Sequence, residues 1–301
     1  MTSQDNTSME GPASSIQRAA VIGAGTMGHG IAHVLAASGI ETRLYDISDE
    51  AVEAGRLKAA ANLEKGVARG KVTEEQRDAA LALLTGTSDL DAAIDGVDIV
   101  IEAVPERMEL KAKIFGELGS KLGPDVVLAT NTSSLSIKEI AEAADSPERV
   151  VGMHFFNPVH IMKLVEVVRT EHSSDAAAEM ALDLARRMGK QPIDVRDAPG
   201  FASSRLGIAI GMEAIRMVEE KVASAEDIDK AMTLGYGFPM GPLKLTDLVG
   251  LDVRLAIADY LKGELGERFE PPQLLRDMVE RGELGKKSGQ GFYSWEDTNR
   301  G

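Results

Sequence analysis

Residues 19–46 read AAVIGAGTMGHGIAHVLAASGIETRLYD. A short apolar strand, Ala19 to Gly25, ends in glycines. A helical stretch follows and stops at Gly39, and a second strand, Glu41 to Asp46, ends in an acid. Gly23, Gly25 and Gly28 stand in G-x-G-x-x-G spacing. That spacing alone is a weak signal, but a preceding strand, a following helix and an acid about 20 residues on are the context in which it binds a dinucleotide. Gly23 permits the tight turn, Gly25 lets the backbone approach a pyrophosphate, and Gly28 allows close packing of helix on sheet. Thr26 and Met27 lie in the same loop and are counted with the glycines as cofactor-binding residues. The helix N-terminus offers free amides and a favourable dipole to the phosphates. Asp46 is expected to bind the adenosine ribose hydroxyls and to repel a 2′-phosphate, which favours NAD over NADP. Arg43 has no obvious claim on a phosphate.

The rhythm of this segment continues. A long Ala-rich helical stretch runs to about Leu84, and VDIVIEAV, DVVLATNTS, RVVGMHFF, KLVEVVRT and QPIDVRD read as further strands. Helical patterns separate several of them, notably ERMELKAKIFGELGSKL and about Asp175 to Met188. Strands alternating with helices predict a parallel, doubly wound Rossmann-type α/β sheet. After Pro199 no convincing strand follows, and helical patterns run to about Arg281. The expected organisation is therefore a polar, disordered tail over 1–15, a dinucleotide-binding domain over 16–197 and an all-helical domain over 198–301. No internal repeat is visible.

The totals exclude several classes of function. The chain has no cysteine, so no disulfide framework or thiolate site is possible. No apolar run reaches the ~18 residues of a membrane helix, and the first fifteen residues lack the apolar core of a signal peptide; a cytoplasmic location is expected. A net charge of −15 opposes binding to nucleic acid or anionic membranes. His29 and His33 stand at i,i+4, a spacing that can bind metal, but no acid accompanies them. They read as helix packing, and no metal site is expected. His160 and His172 carry no assignment.

Two ionisable residues interrupt apolar strands: His154, at the end of RVVGMHFF, and Glu166, within KLVEVV. Transfer of a hydride from an alcohol needs a base for the hydroxyl proton, and histidine titrates near neutrality. A carboxylate beside it can fix the tautomer and stabilise the imidazolium. His154 stands at the strand edge where open α/β sheets bind ligands. Spacing leaves the alternative open that Glu166 pairs with Lys163 or Arg169 and that His154 is a satisfied core histidine.

NTSSLSI, HFFNP, MKLVEVV, PGF..SR, EDIDKAM..G...PMGP..L.D..GLD and GKKSGQGFY occur in this order. Together they resemble the L-3-hydroxyacyl-CoA dehydrogenase family over nearly the whole chain after the tail. The resemblance implies NAD-dependent oxidation of an (S)-3-hydroxyacyl-CoA, in the short-chain, 3-hydroxybutyryl-CoA-like branch. His154 would then take the proton of the 3-hydroxyl and Glu166 would hold it. Ser133 would hydrogen-bond the substrate near the nicotinamide, although it could equally be a helix cap, as could Ser134 or Ser136. Glu106, Lys111, Asn157 and Lys287 match cofactor contacts. Asn62 and Arg69 match contacts to coenzyme A, and Lys58, Lys65 and Arg69 fall within about 40° on one helix face. The alternative for that stripe is an ordinary solvated face. The resemblance also implies a homodimer through the helical domain, where Met212 and Met217 read as core or dimer surface. One position departs from the pattern. The family reads GF..NR, and here Ser204 replaces the asparagine expected near the keto oxygen; it is taken to assume that role. Competing readings are a dehydrogenase for another hydroxy acid or a hydroxyadipyl-CoA-type substrate, and a dinucleotide binder without catalysis.

Overall fold

The structure is a computed structural model and describes residues 16–295. The tail expected over 1–15 lies outside the described residues. Two compact units divide between Ala198 and Pro199.

The first unit is built on eight strands: β1 (Arg18–Ile22), β2 (Glu41–Tyr45), β3 (Leu84–Thr87), β4 (Ile99–Glu102), β5 (Val127–Thr130), β6 (Val150–Phe155), β7 (Leu164–Arg169) and β8 (Gln191–Arg196). Its helices are α1 (Gly28–Ala37), α2 (Asp49–Ala68), α3 (Glu74–Leu83), α4 (Leu90–Ile94), α5 (Met108–Lys121), α6 (Ile137–Glu142) and α7 (Asp175–Arg187). The sheet order is β3-β2-β1-β4-β5-β6-β7-β8. Its first six members follow the doubly wound dinucleotide order, in which ligands sit beyond the strand C-termini at the β1/β4 reversal. Central strands are covered on both faces, so they read as continuous apolar runs: Val21, Ile99, Ile101, Ala129 and Val151 are fully buried.

Two sequence expectations need correction. The sheet is not wholly parallel, because β6 and β7 pair antiparallel. The few residues between Phe155 and Leu164 are too short for the crossover that a parallel pair requires. The helical run to Leu84 is also two helices, broken at Gly70 and restarted by a capping box on Thr73 and Gln76. The edge strand β3, with only Leu84 buried, follows it. Four residues with a glycine among them carry too little alternation to be read as a strand.

The second unit is helical: α8 (Ser203–Glu219), α9 (Ala225–Lys230), α10 (Pro242–Val249), α11 (Leu251–Leu265) and α12 (Gln273–Glu280). Ile208, Met212, Ile215, Leu243, Leu251, Leu261 and Leu275 form its core. Met212 is thus core, and Met217 packs at its margin. Asp247, 1% exposed on α10, fastens the segment that follows α12. It accepts hydrogen bonds from the amides of Phe292 and Tyr293, both at 2.9 Å, and from the Trp295 indole at 2.8 Å. A side chain at Gly285 or Gly291 would overlap Asp247, which explains why glycines flank this segment. Asp247→Ala leaves these donors unmatched and is expected to lower the unfolding free energy by about 3 kcal/mol. Trp295 is the one tryptophan of the chain. Its emission should therefore shift to the red in the native state of the variant, while urea titration reads the loss of stability.

Candidate active site

At the β1–α1 turn Gly23 has φ of 104°. A Cβ there would stand 2.8 Å from the Ala103 carbonyl oxygen, and one at Gly28 would overlap the carbonyl of Gly23. A Cβ at Gly25 would meet nothing within 4 Å. Two glycines therefore close the turn, and the third keeps its outer side open for a diphosphate. Thr26 is exposed and Met27 half-buried where α1 begins. Asp46 is half-buried, and its carboxylate accepts from Ala24 N and Ile47 N, both at 2.7 Å. These bonds hold the acid beside the loop, where a ribose would lie. Arg43 turns away to the carbonyls of Ala92 and Asp95. These residues fit a dinucleotide without a 2′-phosphate.

Within β6 and β7 lies the dyad, with His154 near the C-terminal end of β6. His154 and Glu166 are register partners across β6 and β7, so their side chains project from the same face. His154 Nδ1 stands 2.7 Å from Glu166 Oε2, with the two residues 4% and 0% exposed. A carboxylate accepts only, so Nδ1 carries the proton and Nε2 is the ring atom able to take another. Phe156 lies against the imidazole at 4.5 Å between centroids. Arg169 is engaged with Asp175 and Asp194. The alternative pairing of Arg169 with Glu166 is therefore not adopted.

A second buried pair organises the neighbouring loops, and half of it escaped the sequence reading. Glu102 ends β4 with 0% exposure. It accepts from Lys111 Nζ at 2.8 and 3.0 Å, Thr130 Oγ1 at 2.7 Å and Val104 N at 2.6 Å. Burial raises its pKa, opposed by the lysine. Lys111 also donates to the Asn131 carbonyl at 3.2 Å and lies 3.6 Å from Glu106. Glu106 accepts from Thr132 Oγ1 at 2.5 Å and Ser133 N at 2.9 Å. Asn131 Oδ1 accepts from Phe155 N, next to His154. Lys111 is fully enclosed. The expectation that it touches the cofactor directly gives way to that of an internal tie holding the loops that carry Glu106 and Ser133. A glutamate closing the apolar run VDIVIE was the available signal for Glu102. Ser136, not Ser133, caps α6, which leaves the half-buried Ser133 side chain without that structural duty. Asn157 is exposed in the β6–β7 loop.

On the same unit a cleft of about 570 Å³ is lined by Asn62, Lys65, Arg69, Lys163, Arg187 and Lys190, with His33 and His160. Lys65 and Arg69 of the predicted basic stripe line it, and Lys58 is not among its lining residues. His33 stacks on His160 at 5.4 Å, while His29 Nδ1 meets the Gly25 carbonyl at 2.7 Å. The two helical histidines thus have separate duties. Burial, reinforced by His160, His29 and Lys190, lowers the His33 pKa to about 4. In the second unit Ser204 is half-buried in the first turn of α8. Lys287 donates to Asp252 at 2.6 Å.

A doubly wound sheet with an open glycine turn, a ribose-side acid and a buried histidine–glutamate dyad at the strand edge defines an NAD-dependent oxidoreductase. Residues 18–198 match the domain family described as 3-hydroxyacyl-CoA dehydrogenase, NAD binding domain, and residues 200–295 match its C-terminal domain. The chain therefore belongs to the 3-hydroxyacyl-CoA dehydrogenase family. It is 48% identical over 283 residues to a 3-hydroxybutyryl-CoA dehydrogenase of Mycobacterium tuberculosis, covering 93% of this chain and 99% of that one. It is 44% identical over 282 residues to a 3-hydroxyadipyl-CoA dehydrogenase of Escherichia coli, covering 93% and 59%. The crystal structure of (S)-3-hydroxybutyryl-CoA dehydrogenase PaaH1 from Ralstonia eutropha superposes with a TM-score of 0.91 at 40% identity, over 94% of this chain and all of that one.

Lys111→Met strands Glu102 in a dry site and is expected to cost about 3–5 kcal/mol in chemical denaturation. His33 is neutral in the fold down to about pH 4, whereas the unfolded side chain takes its proton near 6.5. Between those values the unfolded chain holds more protons. Stability should therefore be complete above pH 6.5 and fall by on the order of 3 kcal/mol as pH drops to 4. His33→Gln should remove that part of the slope in urea midpoints measured between pH 7 and 4.5.

Proposed function

We propose that the protein oxidises short-chain (S)-3-hydroxyacyl-CoA esters to 3-ketoacyl-CoA, with 3-hydroxybutyryl-CoA and acetoacetyl-CoA as the working pair. The observation that carries this is the buried 2.7 Å bond between His154 and Glu166, with His154 near the C-terminal end of β6, on the same sheet edge as the glycine turn that follows β1. Bound NAD supplies the hydride acceptor. His154 Nε2 takes the proton of the 3-hydroxyl, and Glu166 stabilises the imidazolium formed. Ser133 orients the reacting oxygen, and Ser204 takes the place of the family's asparagine on that oxygen. Gly23, Gly25, Thr26, Met27, Gly28 and Asp46 hold the cofactor, with Glu106, Asn157 and Lys287 as further contacts. Asn62 and Arg69 meet the coenzyme's phosphates in the basic cleft. That cleft supplies local positive charge on a chain of net charge −15.

The helical unit supports a homodimer. Leu206, Val222, Leu234 and Tyr236 are 63%, 59%, 82% and 78% exposed. An apolar hollow of about 370 Å³ opens between Ile210, Met217, Met232 and Pro242. Among the described residues no helix is long and apolar enough to cross a membrane; a cytoplasmic location goes with this reading.

NADH oxidation with acetoacetyl-CoA, beside free acetoacetate, longer 3-ketoacyl-CoAs and NADPH, tests the assignment. Turnover should need the CoA ester and NADH. His154→Ala should lower kcat by roughly 10²–10⁴ with NADH binding retained. Absence of turnover of any CoA ester, with NADH still bound, would sink it. Arg69→Ala should raise KM for acetoacetyl-CoA more than it lowers kcat, and a 3′-dephospho substrate should erase the difference. Unchanged kcat and KM in Ser204→Ala would remove that residue from the mechanism.

A further inference from the structure

Two histidines of the sheet unit stand outside the chemistry assigned so far. His33, on α1, is 6% exposed, and its Nδ1 is closed from solvent without a partner. His160, in the loop between β6 and β7, is exposed, and no hydrogen bond or ion pair reaches it among the described residues. The two rings stack with 24° between their planes and 5.4 Å between centroids, the separation of an aromatic pair. The backbone around them allows this. A Cβ on Gly30 would stand 2.9 Å from the Val159 side chain, so glycine there lets the loop press against α1. Gly30 lies about one turn before His33 on that helix, and Val159 precedes His160. Lys190, 9% exposed, fixes the same loop: its Nζ donates to the carbonyls of Val159 and, at 2.9 Å, Met162.

The pair lines the basic cleft, and cations face it from each element around it. Lys65 stands in the last turn of α2, with Arg69 and Lys71 just beyond. Lys163 precedes β7, Arg187 ends α7 and Lys190 precedes β8. His29 acts on both rings from α1. No aspartate or glutamate is among the lining residues. On a chain of net charge −15, cations gathered without a counter-charge repel one another, and they disfavour a further positive charge beside them. Burial, followed by Lys190, His29, Arg69 and Lys65, lowers the His160 pKa. Burial, followed by His160, His29 and Lys190, brings that of His33 to about 4. Without an anion both rings are therefore neutral near pH 7.

We propose that His160, backed by His33, is a proton-linked ligand for the 3′-phosphate of coenzyme A: it takes up a proton as the phosphate binds and holds it as an imidazolium. This rests on the reading of the cleft as the coenzyme's phosphate site. Asn62 and Arg69 are the positions that match the family's coenzyme contacts, and the histidine pair adds to them a dependence on pH. A phosphate monoester carries close to two negative charges at neutral pH. Among these cations it offsets the repulsion that keeps the imidazole neutral, and an anion beside a histidine favours the charged form. The proton comes from solvent to a ring nitrogen of His160. His33 is too enclosed to share it and stays neutral, which leaves one charge in the stack and not two. The sign follows from linkage. The pKa of His160 is higher in the complex than in the free protein. Between those two values the complex holds more protons, so affinity rises as pH falls through that window.

Calorimetric titration of the full-length enzyme with coenzyme A, in phosphate-free buffers of different ionisation enthalpy, counts the protons exchanged on binding. At about pH 7 the wild type should take up about half a proton or more, and His160→Asn almost none. Wild-type affinity should rise about three- to tenfold from about pH 8.5 to 6.5, against a flat profile in the variant. 3′-Dephospho-coenzyme A should bind more weakly to the wild type, and without proton uptake. Coenzyme A binding without uptake in the wild type overturns the proposal, and so does uptake that His160→Asn leaves unchanged. Should the variant fail to fold, NMR titration of the five histidines of the wild type decides. One imidazole should move to higher pKa with coenzyme A and not with 3′-dephospho-coenzyme A, and the absence of such a signal overturns the proposal. Equal affinity for the two coenzymes would instead overturn the reading of the cleft as the coenzyme's phosphate site. Titration with inorganic phosphate then judges the histidine pair alone: proton uptake that His160→Asn abolishes supports it, and no uptake overturns it too.

Discussion

A carboxylate with no exposed surface sits in the middle of a strand, and one hydrogen bond accounts for it. Glu166 could not remain charged in that position without a donor, and the antiparallel turn between β6 and β7 places His154 directly opposite. Shifting the register of these strands by one residue would send both side chains to opposite faces. The register that buries Val165 and Val167 thus also assembles the base. Apolar packing on one side and proton chemistry on the other depend on the same pairing.

Around this centre the fold uses buried polar ties rather than bulk to place the loops. The Glu102–Lys111 pair reaches the loop after β4 through Glu106 and the loop after β5 through the Asn131 carbonyl. The Asn131 side chain then fixes Phe155 N beside the histidine. Two loops and the end of β6 are held to one another before any ligand arrives, which is the preorganisation that an electrostatic site requires. A pair of this kind is weak support for stability as such. Its value here lies in setting positions.

Much of this was legible in the residues, and the parts that were not share a cause. The glycine turn, Asp46, the alternation of strands and helices, and the halt of strands after Pro199 are local patterns, and local patterns survive in a sequence. His154 and Glu166 stood out because each breaks an apolar run, but only strand pairing decided between Glu166–His154 and Glu166–Arg169. The direction of β7 was misread because periodicity says nothing of strand sense; the short connection did. Lys111 reads in the sequence only as a match to a cofactor contact of the family, and its enclosure follows from Glu102, a partner nine residues earlier on another element.

The clasp on Asp247 bears on how the chain is made. Its donors come from Phe292, Tyr293 and Trp295, which lie 45, 46 and 48 residues further along the chain, so α10 carries a carboxylate bound for the interior that emerges well before its partners. The sheet unit has all its strands by Arg196 and can form while synthesis continues. The helical unit cannot bury Asp247 without stranding a charge until the segment through Trp295 has been added, so its closure waits on a stretch of chain made after all five of its described α-helices.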